Sequence, residues 1–517
     1  MSRLNRLGFV AAGLLVLAVA VGCSSSSSND IGTDIVNDIP ADVPADVVAD
    51  TNPVDPGAEA VEDVPAVDTP PDIDWETLPR LPAGKTFTLA YAAGVAQKDV
   101  SPTQPTHLGG FGFCMGDELL CRSTDGVHDP LLSSAVAIAD PASKEVVIFI
   151  GVDTIGILRS DIEDIHRRIQ QRLYDDFGVY FPGDRALISS SHAHSSCDTV
   201  GLWGPGYGAG RQEQYVELLK NGVVESARDA YADLKDVTLD WGKGSYANSY
   251  EDAFASDDEL FILRGKGADD ATMFTMVRYP AHPTTYGSKM KAASADWPGT
   301  MRKKLEDDLG GLNVFMQGPI GGVYPNRPST CGLTEEAFPN GDHTLTDMDV
   351  GDYMKTTCTG NAIAEVAKTA LLTAQPLAAT GITYKATEFP FHPTNGTLML
   401  LAEVGPLPYE FVDVDDPTAM MHSIFAVATV GDLTFITTPG ESFPSFGKEA
   451  KDIAIEANLT NPIVLGLTQD WMGYLLLEKQ WENKDLAYNQ SLSPGPGVEP
   501  AFMAAMRAML GLPATVK

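Results

Sequence analysis

Four short stretches of the 517-residue chain place imidazole, carboxylate or phenol groups just after a run of strand-forming residues. Ala186–Ser190 (ALISS) runs into Ser191-His192-Ala193-His194-Ser195, and Thr272–Tyr279 (TMFTMVRY) runs into Pro280-Ala281-His282-Pro283-Thr284. Leu433–Thr438 (LTFITT) leads to Pro439-Gly440-Glu441, and Ile463–Leu467 (IVLGL) is followed by Trp471-Met472-Gly473-Tyr474. Imidazole nitrogens and carboxylate oxygens are ordinary zinc donors, and two histidines plus a glutamate with one open position serve hydrolysis. A phenol oxygen is a less common ligand. A single histidine at a strand end is more often a solvated or hydrogen-bonded loop residue, and an HxH pair by itself says little. The weight comes from the shared position, because loops outside the carboxyl ends of strands in α/β sheets converge on one crevice.

The elements that must position these groups follow from the apolar pattern. Beyond Phe87, short apolar runs alternate with amphipathic helical stretches, which predicts an α/β fold: a mixed central sheet flanked by helices, forming a single large catalytic domain over residues 86–517. Glu145–Ile157 (EVVIFIGVDTIGI) reads as a buried strand. Ser160-Asp161-Ile162-Glu163 reads as a capping box opening a helix to about Asp176. Further helices are expected over Arg211–Leu234, Pro298–Leu309, Met348–Leu372 and Phe443–Asn458, and further strands over Glu259–Arg264 and Leu312–Gln317. Ser423–Val430 and Leu433–Thr438 should form a hairpin across Gly431-Asp432. No internal repeat or linker interrupts this region.

The N-terminal part is of another kind. Arg3 and Arg6 precede an apolar stretch, Gly8–Val21, and Ala20-Val21-Gly22-Cys23 resembles a bacterial lipobox, so residues 1–23 are expected to be a lipoprotein signal peptide with Cys23 as the lipidated residue. The apolar stretch is shorter than the roughly 20 residues a spanning helix needs. In residues 24–85 aspartates recur at Asp30, Asp34, Asp38, Asp42, Asp46 and Asp50 among Pro, Val and Ala. Like charges at helical spacing repel and prolines lack the amide donor, so this segment is expected to be a disordered acidic stalk. It leads to an exported protein of the bacterial cell envelope, lipid-anchored at the membrane (the outer membrane being expected) or extracellular. The formal charge of −35 gives no basic footprint for nucleic acid. Cys114 with Cys121, and Cys331 with Cys358, are plausible disulfides in an oxidising compartment, which leaves Cys197 over.

Taken in order, GVHDPL (126–131), SSSHAHSSCDTVGLWGP (189–205), AHPT (281–284), SADWPG (294–299), QGPIGGVYPN (317–326), TPGESF (438–443) and DWMGY (470–474) resemble the motifs of neutral/alkaline ceramidases, namely THTHSGP, HPT, SADFPG, GDVSPN, PGE and YAGY. The resemblance covers essentially residues 87–495. It implies a Zn2+ site built from His192, His282, Glu441 and Tyr474. It also implies that His194 stands beside the metal-bound water and the scissile amide, and that Tyr488 corresponds to a later site tyrosine. Zinc polarises a carbonyl and lowers the pKa of bound water toward about 7, so the implied activity is amide (N-acyl) hydrolysis with a small-molecule or lipid substrate.

Three departures bear on substrate choice. The GDVSPN pattern is replaced by Gly321-Gly322-Val323-Tyr324-Pro325-Asn326, so Gly322 and Tyr324 become pocket candidates, and Cys197 stands where HSGP has proline. Weak or absent ceramide hydrolysis with retained zinc is expected, and Gly322→Asp with Tyr324→Ser is expected to raise it if the pocket is otherwise preserved. The Tyr324 ring narrows the pocket, stacks on a ring-bearing substrate, or turns away and packs beneath Pro325. The chain also stops at Lys517 without the C-terminal immunoglobulin-like domain of full ceramidases. The same scaffold serves, as alternatives, an ester or carbohydrate-related hydrolase or a catalytically silent surface-binding lipoprotein.

Overall fold

The structure is a computed structural model that describes residues 73–112, 114, 121–206, 208–328, 331, 350–395 and 420–514. The leader, Cys23 and the acidic segment up to residue 72 lie outside the described residues. The described end of the expected stalk is not free chain. Trp75 opens a 3-10 turn (Trp75–Thr77), and its indole meets Tyr174 and Tyr180 at centroid distances of 5.3 and 5.6 Å. The Arg80 guanidinium lies 4.4 Å over the Tyr180 ring, and its carbonyl accepts from the Tyr231 hydroxyl at 2.7 Å. Residues 73–85 therefore pack on the domain, because Trp75 and Arg80 bring stacking surface that the Asp/Pro/Val repeat lacks.

In chain order the strands are β1 (Tyr91–Asp99), β2 (Leu132–Asp140), β3 (Glu145–Val152), β4 (Ala186–Ser190), β5 (Lys235–Ser245), β6 (Asn248–Tyr250), β7 (Glu259–Lys266), β8 (Thr272–Tyr279) and β9 (Leu312–Gln317). They continue with β10 (Val323–Pro325), β11 (Gln375–Pro376), β12 (Ile382–Phe391), β13 (Met421–Val430), β14 (Leu433–Thr437), β15 (Glu441–Ser442), β16 (Pro462–Leu465) and β17 (Tyr474–Leu475). The helices are α1 (Arg159–Phe177), α2 (Glu213–Ala232), α3 (Trp297–Leu309), α4 (Val350–Leu371), α5 (Pro444–Glu456), α6 (Ala487–Ser491) and α7 (Val498–Met509). A large sheet runs β4-β3-β2-β1-β5-β7-β8-β9 with β11 on β5, and a smaller one runs β12-β13-β14-β16. Both are mixed: β3–β4, β8–β9 and β14–β16 pair in parallel among antiparallel neighbours.

Strand β3 shows how the layers arise. It is an unbroken apolar run because both its faces are covered, and alternate residues enter different cores. Val146, Ile148, Ile150 and Val152 pack with α1 and α2, whereas Val147 and Phe149 face the small sheet, where Phe149 meets Phe435 of β14 at 4.7 Å. Helices α3 and α4 cover β7 to β9, and α5 and α7 cover the far side of the small sheet. The α/β architecture of one large domain is as expected, with the single central sheet resolved into two stacked sheets between helical layers.

Two local expectations are corrected. The strand expected to reach Ile157 ends at Val152, since the chain beyond turns to offer the Thr154 and Ile155 carbonyls to His192. The capping box does not form: Leu158 is the N-cap without a side-chain bond, and the Arg159 amide donates instead to Asp470 Oδ1 at 3.0 Å. Cys114 is bonded to Cys121 and Cys331 to Cys358, while Cys197 is a buried free thiol.

Candidate metal centre

His192 follows β4 and adopts φ +65°, a left-handed conformation uncommon outside glycine. Its amide donates to the Thr154 carbonyl at 2.9 Å, and its Nδ1 lies 2.5 Å from the Ile155 carbonyl oxygen. A carbonyl only accepts, so Nδ1 carries the proton and Nε2 keeps its lone pair. His282, past the end of β8, repeats the device: Nδ1 lies 2.9 Å from the Val323 carbonyl. Both Nε2 atoms face one oxygen, Glu441 Oε2, at 3.4 Å from His192 and 3.3 Å from His282. All three side chains are buried. Two lone pairs and a carboxylate oxygen in a dry space repel one another unless a cation, either a proton or a metal ion, sits among them.

The supports come from elements that the motifs mark. Gln317, the last residue of β9, donates through Nε2 to the Ser191 and Ala281 carbonyls at 2.7 and 3.2 Å, fixing the residue ahead of each histidine. The Asp296 carboxylate accepts from the Thr285 and Tyr286 amides, each at 3.1 Å, and the Trp297 indole donates to the His282 carbonyl at 3.2 Å. Asp129 in turn accepts from the Ser294 hydroxyl and from the Ala295 amide at 2.9 Å. The GVHDPL and SADWPG stretches thus brace the His282 loop.

Glu441 and Tyr474 stand opposite each other in the parallel β15–β17 pair, and the Glu441 amide donates to Gly473 O at 2.8 Å. Burial would raise the Glu441 carboxyl, but the two imidazoles override it and hold it well below the usual carboxylate range. Tyr474 is buried, and burial first, then the Glu441 carboxylate, push its phenol well above its ordinary value. The Tyr488 ring, on α6 and partly exposed, lies 6.1 Å from that of Tyr474.

The His194 ring centroid lies 4.9 Å from His192 and 5.6 Å from His282. Ligand atoms of the three imidazoles fall within 4.8 Å of one another, a spacing that suits a metal ion, and the Glu441 oxygen lies on the His192 and His282 side of this group. Both His194 ring nitrogens are buried, and among the described residues neither has a hydrogen-bond partner. The ring is held by packing: Phe111 meets it edge-on at 4.8 Å, and Gly110 approaches so closely that a Cβ there would lie 2.3 Å from His194 Cγ. Arg122 secures the backbone, donating to the Gly109 and His194 carbonyls at 3.0 Å each. Burial, reinforced by the other two histidines, lowers the His194 pKa well below the usual imidazole value.

The three pocket candidates fare differently. Tyr324 neither turns beneath Pro325 nor points freely into the pocket; it stacks on His282, with a centroid distance of 5.2 Å and an interplanar angle of 24°. Gly322 has φ +63°, and a Cβ on it would lie 2.8 Å from Glu251 Cβ, so an aspartate there would be strained and would collide with Glu251. That collision weighs against the expected gain from aspartate at 322. Cys197 is not a pocket residue: it lies in the core beneath α2 beside Tyr215, where burial pushes its thiol up. Arg122, Glu251 and Gln317 were missed from sequence. Only Gln317 carried a signal, as a polar residue ending the buried run LNVFMQ.

Two stacked sheets between helical layers, with a buried imidazole–carboxylate cluster where strands of both sheets end, define an α/β protein with a candidate metal centre. Among solved structures this fold is that of neutral ceramidase. The neutral ceramidase from Pseudomonas aeruginosa aligns with a TM-score of 0.64 at 16% identity, covering 83% of this chain and 76% of that one. A ceramidase complexed with C2 aligns with a TM-score of 0.64 at 15% identity, covering 83% and 77%. The motif resemblance thus extends to the fold, at strongly diverged sequence. No protein-family profile matches the chain, and no curated protein matches it in sequence.

Proposed function

We propose that this chain is a zinc-dependent hydrolase of the neutral ceramidase type, cleaving the N-acyl bond of a lipid. The observation that carries the reading is the convergence of the His192 and His282 Nε2 atoms on Glu441 Oε2, with both Nδ1 atoms committed to backbone carbonyls. His192, His282 and Glu441 would hold the ion, with Tyr474 beside them as the fourth donor. Zinc bound there supplies Lewis acidity toward a carbonyl and lowers the pKa of water toward about 7.

The chain's own groups do the rest. A neutral His194 offers one acceptor and one donor nitrogen, neither committed elsewhere. Its depressed pKa makes an accepted proton easy to pass to the departing amine. Burial, then the Glu441 and Glu251 carboxylates, keep the Tyr488 phenol protonated, so its hydroxyl is a donor at the rim. Tyr324 covers one face of His282 and restricts approach to the centre from that side. Export with lipid on Cys23, at the bacterial cell envelope, belongs to the same proposal.

The test is metal content together with fatty-acid release from a panel of N-acyl sphingosines, with and without chelator. About one zinc per chain is expected, with His192→Ala and Glu441→Ala losing it and chelation abolishing release. Full zinc occupancy in His192→Ala would sink the ligand assignment, and release indifferent to chelation would sink the zinc mechanism.

A further inference from the structure

We infer that Glu251 sets substrate specificity, accepting a hydrogen bond from a hydroxyl or ammonium group that the substrate carries close to its scissile carbonyl; the inference rests on the proposed hydrolytic reading of the same site. Glu251 follows β6, and its amide donates to the Gly322 carbonyl at 2.8 Å, extending the β6–β10 pair by one residue. Two chains of contact join its carboxylate to the metal centre. Oε1 accepts from the Tyr324 hydroxyl at 3.2 Å, and the Tyr324 ring lies on His282. Oε2 accepts from Asn489 Nδ2 at 3.1 Å, and Asn489 adjoins Tyr488, whose ring neighbours Tyr474.

An ionised carboxylate is acceptor-only and offers about four lone-pair sites, of which these two contacts use two. Among the described residues no lysine or arginine pairs with it. The residue is exposed, so an incoming ligand can reach the remaining sites from solvent. The space is the one a side chain at position 322 would claim, since a Cβ on Gly322 would lie 3.1 Å from Glu251 Oε2. The acceptor absent from the Gly321–Asn326 loop is thus delivered from the neighbouring strand end. A carboxylate placed there favours a substrate that donates and penalises one with an apolar group in its place.

The experiment compares Glu251→Ala and Glu251→Gln with the unaltered protein on two substrates of equal chain lengths, an N-acyl 2-amino alcohol and an N-acyl alkylamine without a hydroxyl. Glu251→Ala is expected to lose about tenfold or more in kcat/KM on the amino alcohol derivative while staying within about twofold on the alkylamine derivative. Glu251→Gln keeps an acceptor without the charge, so it is expected to stay close to the unaltered protein on the amino alcohol derivative, whose added donor is a neutral hydroxyl. Equal losses on both substrates, or unchanged discrimination in Glu251→Ala, would overturn the inference. If the unaltered protein hydrolyses neither substrate, the hydrolytic reading fails, and calorimetric binding of the free long-chain 2-amino alcohol decides the role of Glu251. Tighter binding than to Glu251→Ala by about tenfold supports it, and equal binding refutes it.

Discussion

Among the three clustered imidazoles, His194 alone has ring nitrogens without a hydrogen-bond partner among the described residues. His192 and His282 each spend Nδ1 on a backbone carbonyl and turn Nε2 to Glu441. His194 is positioned by Phe111, Gly110 and Arg122, groups that fix the ring without satisfying it. A buried, unpaired polar group is costly, so the site keeps it for a bound molecule. His194→Ala is therefore expected to retain the metal while kcat on an N-acyl substrate falls by about 10²- to 10⁴-fold. Metal analysis beside steady-state kinetics checks this, and loss of the ion would make the three imidazoles the true ligand set. The sequence reading singled out His192, His194, His282, Glu441 and Tyr474 because their types and their place after strands are visible in one dimension. Arg122 and Glu251 were illegible for the converse reason. Their partners lie 72 and 73 residues away, at the His194 carbonyl and the Tyr324 hydroxyl, and no local pattern encodes that separation.

At the scale of elements, the Asp470 carboxyl ties helix α1 to the small sheet. It accepts from the first amide of α1 at Arg159, from the Ser423 hydroxyl of β13 at 2.8 Å and from the Trp471 amide at 2.7 Å. Burial nevertheless pushes it up to about 7, against these hydrogen bonds and the Arg159 charge. A carboxyl raised in the folded state adds stability that is complete below its unfolded pKa of about 4 and is lost as pH rises through about 7, worth at most about 4 kcal/mol. Wild-type stability in denaturant is thus expected to fall between about pH 4 and 7 from this source. Asp470→Asn, whose amide oxygen can still cap α1, should flatten that part of the profile; identical profiles would show that Asp470 is ionised in the fold throughout. The same contact explains a misread boundary, since a cap delivered from 311 residues away left the local Ser160–Glu163 pattern nothing to do. Strands β8 and β9 were legible as dense apolar runs, whereas β2 was not. Its Ser133 and Ser134 are buried, with the Ser133 hydroxyl satisfied by Ser226 of α2 at 2.8 Å, so its polarity hides its burial.

For the molecule as a whole, the question is what would keep it at a membrane. No helix among the described residues is long and apolar enough to cross one. The most exposed large apolar side chains among the described residues, Phe254, Leu372 and Ile455, belong to three different segments, and single surface hydrophobics of this kind are ordinary. The charge of −35 opposes approach to an anionic lipid surface. Attachment is therefore proposed to depend on acyl chains at Cys23, each buried methylene contributing about 0.8 kcal/mol. Because Trp75 and Arg80 already pack on the domain, a change at Cys23 should leave the fold alone. Cys23→Ser is expected to move the protein from the membrane fraction to the soluble fraction, or to leave its leader uncut. The melting temperature and zinc content of the purified domain should match those of the unaltered protein. Membrane association and processing that survive the substitution unchanged would show that another part of the chain carries the anchor.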